Sequence, residues 1–274
     1  MSLRTHPITG EPILFVPERA ARPRAFGGDD ASRCPFCPGH ESDTPPAIAT
    51  LGEPWRLRVF PNKYPPADGA EVIVESAAHD QTFADVEHAG DAVRMYVERY
   101  RAHAGSAYIA LFKNEGPRAG ASIPHVHSQV VPLPFVPPRV AREAAAFARA
   151  ARCPLCPLDG HVIRETARFT WLAPSGSSLP YQQWIVPKRH VAEMTAFTAS
   201  EQEELARLLR SAAGAMQRVA DSYNWMFMNF PNEKGGHCYI DLFPRVTAIA
   251  GLELGAGLFV EVIDPAAAAR RLRA

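Results

Sequence analysis

Two segments carry apolar positions at helical spacing. In residues 85–104, "DVEHAGDAVRMYVERYRAHA", Val86, Val93, Tyr96, Val97 and Tyr100 recur at helical spacing, which predicts a helix with one buried stripe. A second helix is predicted to open at Ser200, where "SEQE" reads as a capping box, and Leu205, Leu208, Leu209, Ala212, Met216 and Val219 mark its apolar face. Around these helices lie short strand-like runs, "EVIVESAAH", "YIALFK", "QWIVPKRH" and "WMFMNF". Another run, "HVHSQ" at 125–129, alternates polar and small or apolar residues. On a strand, His125, His127 and Gln129 would share one face while Val126 and Ser128 take the other.

The order of these pieces repeats. "RCPFCPGHE" precedes "RLRVFPNKYP", "EVIVESAAH", the first helix, "YIALFK" and "HVHSQ"; "RCPLCPLDGH" precedes "RFTWLAPSG", "QWIVPKRH", the second helix, "WMFMNF", a "NEKGG" loop and "HCYIDLFPR". His79 and His125 are 46 residues apart, and His190 and His237 are 47 apart, so the spacing repeats along with the order. Each half thus offers a Cys-x-x-Cys pair and two histidines: Cys34, Cys37, His79 and His125, then Cys153, Cys156, His190 and His237. Four such donors with no open position make a closed tetrahedral site, for which zinc is the expected ion, two per chain and structural. A Cys-x-x-Cys can instead be a redox pair, but that motif belongs at a strand-to-helix turn, whereas both pairs here sit among prolines and glycines. His6, His40, His88, His103 and His161 are read as ordinary core or surface histidines; of these, His40 and His161 lie close enough to the knuckles to substitute as ligands. The pattern implies an α+β chain in two related halves, residues 1–140 and 141–274.

Composition narrows the partners. The 274 residues are 47% hydrophobic and 21% charged, with 29 lysines and arginines against 29 aspartates and glutamates. That balance argues against nucleic acid or an anionic membrane as the main partner. No apolar run approaches the ~18 residues of a membrane span, and "MSLRTHPITGEP" has no signal-peptide core. A cytoplasmic protein is expected, in which five cysteines favour metal over disulfides.

Chemistry should lie where the halves differ. Aligning "HVHSQ" with "HCYID" sets His125 against His237, His127 against Tyr239 and Gln129 against Asp241. The histidine that holds metal is kept in both, so His127 is released for use as a nucleophile or general base. The preceding "KNEGPRAGAS" offers amides at Gly116, Gly120 and Ala121 and side-chain donors from Asn114, Arg118 and Ser122. It reads either as an anion nest or as an ordinary hairpin connection. Imidazole beside a phosphate cradle suits attack on phosphorus, giving a histidine-bound nucleotide.

Taken together, "ERAARPR", "CPFCPGHE", "RVFPNKYP", "FKNEG", "GASIPHVHSQ" and "AGLELG" resemble the galactose-1-phosphate uridylyltransferase branch of the histidine-triad superfamily. The resemblance implies a duplicated histidine-triad (HIT-like) fold, two antiparallel sheets with packed helices, in a homodimer. It also implies ping-pong transfer of a nucleoside monophosphate from a nucleotide sugar to a sugar 1-phosphate or phosphate. Carried onto this chain, His127 attacks the α-phosphorus and Gln129 holds the phosphoryl oxygens. Asn114 and Ser122 contact phosphate, Arg19 and Arg22 lie near the phosphates, Asn62 sits at the nucleoside and Glu253 near the sugar. Three departures stand out. Val126 and Ser128 replace the family's proline and glycine, the second Cys₂His₂ set replaces the iron site of some members, and Phe259 replaces a sugar-contacting glutamine. These lean toward relatives resembling plant ADP-glucose phosphorylase, which carry two zincs and transfer AMP to phosphate. Uridylyl transfer between UDP-glucose and galactose 1-phosphate remains the leading expectation and ADP-glucose phosphorolysis the alternative. Minor alternatives are a dinucleoside polyphosphate hydrolase and a non-enzymatic double zinc-ribbon module.

Overall fold

The computed structural model describes residues 2–21, 34–231 and 235–273. In chain order the elements are β1 Ser2–Thr5, β2 Pro12–Phe15, β3 Ala49–Leu51, β4 Leu57–Pro61, β5 Glu71–Val74, α1 Ala89–Ala102, β6 Tyr108–Glu115, β7 His127–Leu133 and α2 Pro138–Arg149. They continue with β8 Gly160–Glu165, β9 Phe169–Pro174, β10 Gln183–Pro187, α3 Ala199–Gln217, β11 Tyr223–Met228, β12 Tyr239–Pro244, α4 Gly251–Ala256 and α5 Pro265–Arg273. β1 and β2 form a separate hairpin, and the other strands form one sheet in the order β3-β4-β5-β7-β6-β11-β12-β10-β9-β8. Every neighbouring pair is antiparallel.

That order is palindromic. The two antiparallel sheets expected from the sequence are two five-stranded halves fused edge to edge through β6 and β11 into one ten-stranded sheet. The register locates the pseudo-twofold axis. Phe112 lies opposite Gln129, Met226 lies opposite Asp241, and Phe112 and Met226 face each other across the β6–β11 seam. The 140/141 boundary drawn from the sequence falls inside α2.

Alternation along the strands sorts the residues into two layers. Ile73, Leu111, Val130, Trp225 and Ile240 face a core closed by α1, α3 and α5. Ala110, Val131, Met228 and Tyr239 face the opposite layer, where α2 packs through Val140, Ala144 and Phe147. His127 and Gln129 share parity with Val131, so they lie on the α2 side, away from the main helical core.

Local corrections follow from capping and pairing. α3 begins at Ala199, one residue before the predicted Ser200, because Thr198 is the cap: its hydroxyl accepts the Glu201 amide at 3.2 Å while Glu201 accepts the Thr198 amide at 2.7 Å. α1 begins at Ala89, so Val86 precedes the helix yet is fully buried against it. β7 begins at His127; His125 and Val126 lead into it.

Directly behind β7 lies a buried polar group. Lys113, fully buried on the core face of β6, donates to the Glu75 carboxylate and, at 2.9 Å, to the main-chain carbonyl of His127. Its ammonium lies 5.4 Å from the ring centroids of both Phe83 and Trp225. Tyr96 and Ser128 both donate to the second Glu75 oxygen. Glu115 lies 3.5 Å from Lys113 and shares that one cation with Glu75. Burial, opposed by Lys113 and reinforced by the Glu75 charge, pushes the Glu115 carboxyl up to about 7 from 4.5. Between those values the folded chain keeps a proton that the unfolded chain gives up. The group therefore supports the fold below about 4.5 and loses that support as pH rises through about 7. Glu115→Gln should flatten melting temperature against pH between 5 and 8 and at pH 8 be at least as stable as wild type. The difference is bounded by about 3 kcal/mol. Identical pH slopes for the two proteins would show that Glu115 is ionised in the fold.

Candidate active site and metal centres

The two Cys₂His₂ sets come together as the spacing predicted. In each set, one donor atom from every residue lies within 4.8 Å of the others. In the first, His125 Nδ1 lies 3.6 Å from both Cys34 and Cys37 sulfurs, and His79 Nδ1 lies 3.3 Å from Cys37. In the second, His237 Nδ1 lies 3.4 Å from both Cys153 and Cys156 sulfurs, and His190 Nδ1 lies 3.9 Å from Cys156. A tetrahedral ion with bonds of about 2.3 Å to sulfur and about 2.0–2.1 Å to nitrogen sets sulfur–nitrogen separations near 3.5 Å, so both sets fit such an ion.

The outer partners repeat as well. His125 Nε2 lies 2.7 Å from the Ser76 carbonyl and His237 Nε2 lies 2.9 Å from the Pro187 carbonyl. A carbonyl can only accept, so each Nε2 carries the proton and each Nδ1 turns its lone pair to the thiols. Burial lowers both imidazoles to about 4, keeping them neutral. Burial and then the neighbouring Cys34 push the Cys37 thiol up to about 12, and burial and then Cys153 push Cys156 up to about 11. A divalent cation reverses that preference by accepting thiolates. His40 is not a substitute ligand: its Nδ1 is 2.7 Å from the Cys34 carbonyl, bracing the knuckle from outside. His161 lies on β8, opposite Ala173, and is in neither set.

His127 and Gln129 line a cleft of about 350 Å³ with Phe36, Phe60, Asn62, Tyr64 and Ser122. His127 Nδ1 lies 2.7 Å from the His125 carbonyl and therefore carries the proton, which leaves the lone pair on Nε2. The Phe36 ring stands edge-on to the imidazole at 5.3 Å. Asn62 donates to Gln129 at 3.4 Å and accepts the Tyr64 amide at 2.9 Å. Arg19, in a short 3₁₀ turn at Pro17–Ala21, donates to the Tyr64 carbonyl, and burial lowers its pKa. Arg22 lies outside the described residues.

Other expected residues are elsewhere. Asn114 is on β6 and accepts from Asn224 across the seam at 2.8 Å, and it does not line the cleft. The proposed anion nest is a self-satisfied turn: Gly120 donates to Pro117 at 3.1 Å and Ala121 to Gly116 at 3.3 Å. Gly116 is required for packing, since its φ is +81° and a Cβ there would sit 2.4 Å from the Ser222 hydroxyl. Arg118 reaches back to the Val246 carbonyl, away from the cleft. Glu253 accepts the Ala250 amide at the start of α4, and Phe259 lines a different cavity; neither joins the first cleft of its own chain. The sequence reading also missed Phe36 and Tyr64. Phe36, set inside "CPFC", was the available signal, because the knuckle that carries Cys34 and Cys37 also aims its central residue at His127.

No family model matches the chain. The ADP-glucose phosphorylase of Arabidopsis thaliana is 28% identical, covering 99% of this chain and 92% of that protein. The galactose-1-phosphate uridylyltransferase of Thermotoga maritima is 27% identical, covering 100% and 98%. Among solved structures, the Arabidopsis thaliana ADP-glucose phosphorylase with bound ADP-glucose superposes with a TM-score of 0.82 at 27% identity, over 99% of this chain and 97% of that one. A structure described as a uridylyltransferase gives a TM-score of 0.85 at 27% identity, over 100% and 98%. Among the described residues no helix is long and apolar enough to cross a membrane. The chain is thus a homologue, along its whole length, of the galactose-1-phosphate uridylyltransferases and of ADP-glucose phosphorylase, and has their fold.

Proposed function

We propose that the chain is a cytoplasmic nucleotidyltransferase that moves a nucleoside monophosphate from a nucleotide sugar to an acceptor through a covalent intermediate on His127. The observation that carries this reading is the His127 tautomer, with Nδ1–H spent on the strand backbone and the lone pair on Nε2 in a cleft beside Gln129. In the first half-reaction Nε2 forms a bond to the α-phosphorus. The bond from that phosphorus to the sugar phosphate oxygen breaks, and the electron pair leaves with the sugar 1-phosphate. The acceptor, a sugar 1-phosphate or phosphate, then attacks the same phosphorus and restores the neutral imidazole. Gln129, Ser122 and Arg19 are assigned to the phosphoryl oxygens and Asn62 to the nucleoside. Asn114 acts from β6 by fixing the loop that carries Ser122.

Residues 1–140 and 141–274 are treated as the two halves of a duplication, each held by a structural zinc ion. When bound, zinc supplies a closed four-coordinate anchor, and Cys34, Cys37, His79 and His125 would thereby fix the approach to His127. A homodimer would bring Glu253 to the cleft of a second chain. The exposed run Leu252, Leu254, Leu258, Phe259, Val260 and Val262 supports this.

Similarity does not separate uridylyl from adenylyl transfer, at 27% and 28% identity. Uridylyl transfer between UDP-glucose and galactose 1-phosphate is kept as the lead. The second Cys₂His₂ set favours the other reading, ADP-glucose phosphorolysis.

Purified protein should contain two zinc ions per chain. Cys34→Ser should lose one and destabilise the fold, and one ion or none in the intact wild type would contradict the assignment. Because His190 is exposed while Cys34, Cys37 and His125 are buried, a chelator should strip the second ion first; simultaneous release would contradict this. His127→Ala should abolish exchange with zinc content and melting temperature unchanged, whereas His125→Ala should cost one ion and stability; substantial exchange by His127→Ala would remove it as nucleophile. Sedimentation should show a dimer that Leu254→Glu dissociates, and a monomeric wild type would refute the shared cleft. A kcat/KM at least about tenfold higher for ADP-glucose plus phosphate than for UDP-glucose plus galactose 1-phosphate, ~1.4 kcal/mol in transition-state binding, would overturn the lead.

A further inference from the structure

The repeat extends upstream of the metal knuckles. Residues 15–22 read Phe-Val-Pro-Glu-Arg-Ala-Ala-Arg and residues 135–142 read Phe-Val-Pro-Pro-Arg-Val-Ala-Arg, identical at six of eight positions. Arg19 precedes Cys34 by 15 residues and Arg139 precedes Cys153 by 14. The second half therefore keeps a copy of the arginine motif as well as a copy of the metal set.

In that half the arginine has found two carboxylates within the chain: its Nε donates to Glu143 on the solvent side at 2.8 Å, and its Nη2 turns to buried Asp241. Arg139 donates to Asp241 at 2.6 Å and to the Tyr239 hydroxyl at 3.3 Å. Tyr239 and Asp241 hold on β12 the places that His127 and Gln129 hold on β7. Asp241 is fully buried, and its other oxygen accepts from Gln182 at 2.7 Å and Trp184 at 3.2 Å. Burial works against the Arg139 charge, but Asp241, Tyr239 and Glu143 outweigh it and raise the guanidinium pKa. These groups line a cavity of about 640 Å³ with Phe147 and Arg245, on the same sheet face as the first cleft. In the first cleft, Gln129 is a neutral amide, and among the described residues no carboxylate pairs with Arg19.

On the reading of the first cleft as a phosphate site, we infer that Asp241 is a built-in replacement for a bound phosphate. It silences the second cleft toward inorganic phosphate and phosphate esters while the arginine that would hold them is retained. The carboxylate repels an incoming phosphate and occupies the guanidinium that would receive it.

Equilibrium dialysis with radiolabelled inorganic phosphate tests this. Asp241→Gln, which installs the first half's residue, should bind about one more equivalent per chain than wild type, and adding Arg139→Gln should remove that equivalent. Zinc content and thermal melting report folding, and Asp241→Asn, closer in volume, serves if Asp241→Gln does not fold. A folded variant with no added equivalent overturns the inference, as does an added equivalent that survives Arg139→Gln. Failure of both variants to fold would identify the pair as a structural ion pair and overturn it too. Nucleotidyl exchange by the wild-type chain reports separately on the first cleft, so the two readings can fail independently.

Discussion

Backbone pairing between β6 and β11 is the contact on which the rest of the molecule depends. It joins two five-stranded halves into one sheet and fixes the register at the Phe112–Met226 pair. Through that register Gln129 and Asp241 become equivalent positions on one face. A slip of one residue along the seam would put the side chains of β11 in the wrong layer relative to those of β6. The Asn224–Asn114 hydrogen bond adds side-chain specificity to the seam and ties the loop after β6 to the opposite half.

On each side of the seam the same physical arrangement is built twice. A carbonyl fixes the outward nitrogen of a histidine, the inward nitrogen faces two thiols, and the following strand projects two side chains into a cleft. The first half adds a second backbone constraint, from the His125 carbonyl to His127 Nδ1, which fixes the ring and leaves Nε2 unprotonated. Behind it, Lys113 grips the His127 carbonyl from the core side. A lysine and two carboxylates buried together are poor sources of net stability, and what this group supplies is a fixed strand position beneath His127.

The metal sets were legible because each ligand pair is short-range in sequence and the whole pattern recurs. Cys-x-x-Cys, followed by histidines 46 and 47 residues apart, needs no knowledge of the sheet. His127 stands out by subtraction, as the histidine with Tyr239 at its equivalent position, and it lines the first cleft. The loop at 114–122 misled because glycine frequency does not say what approaches the backbone: here it is Ser222 of the other half, a contact set by the seam. Glu253 and Phe259 could not be positioned because neither residue lines the first cleft within one chain. The repeated arginine motif was visible at 15–22 and 135–142, but the duplication had been anchored on the cysteines that follow it.

Two like halves each carry a Cys₂His₂ set and a cleft, and on the proposed function only the first carries chemistry. Peptide mapping by mass spectrometry, after brief incubation with UDP-glucose or ADP-glucose and rapid quench, tests it most directly. One nucleoside monophosphate per chain is expected, on the peptide containing His127, with none on the peptide containing His237 and Tyr239. An adduct on any other side chain, or two per chain, would contradict it.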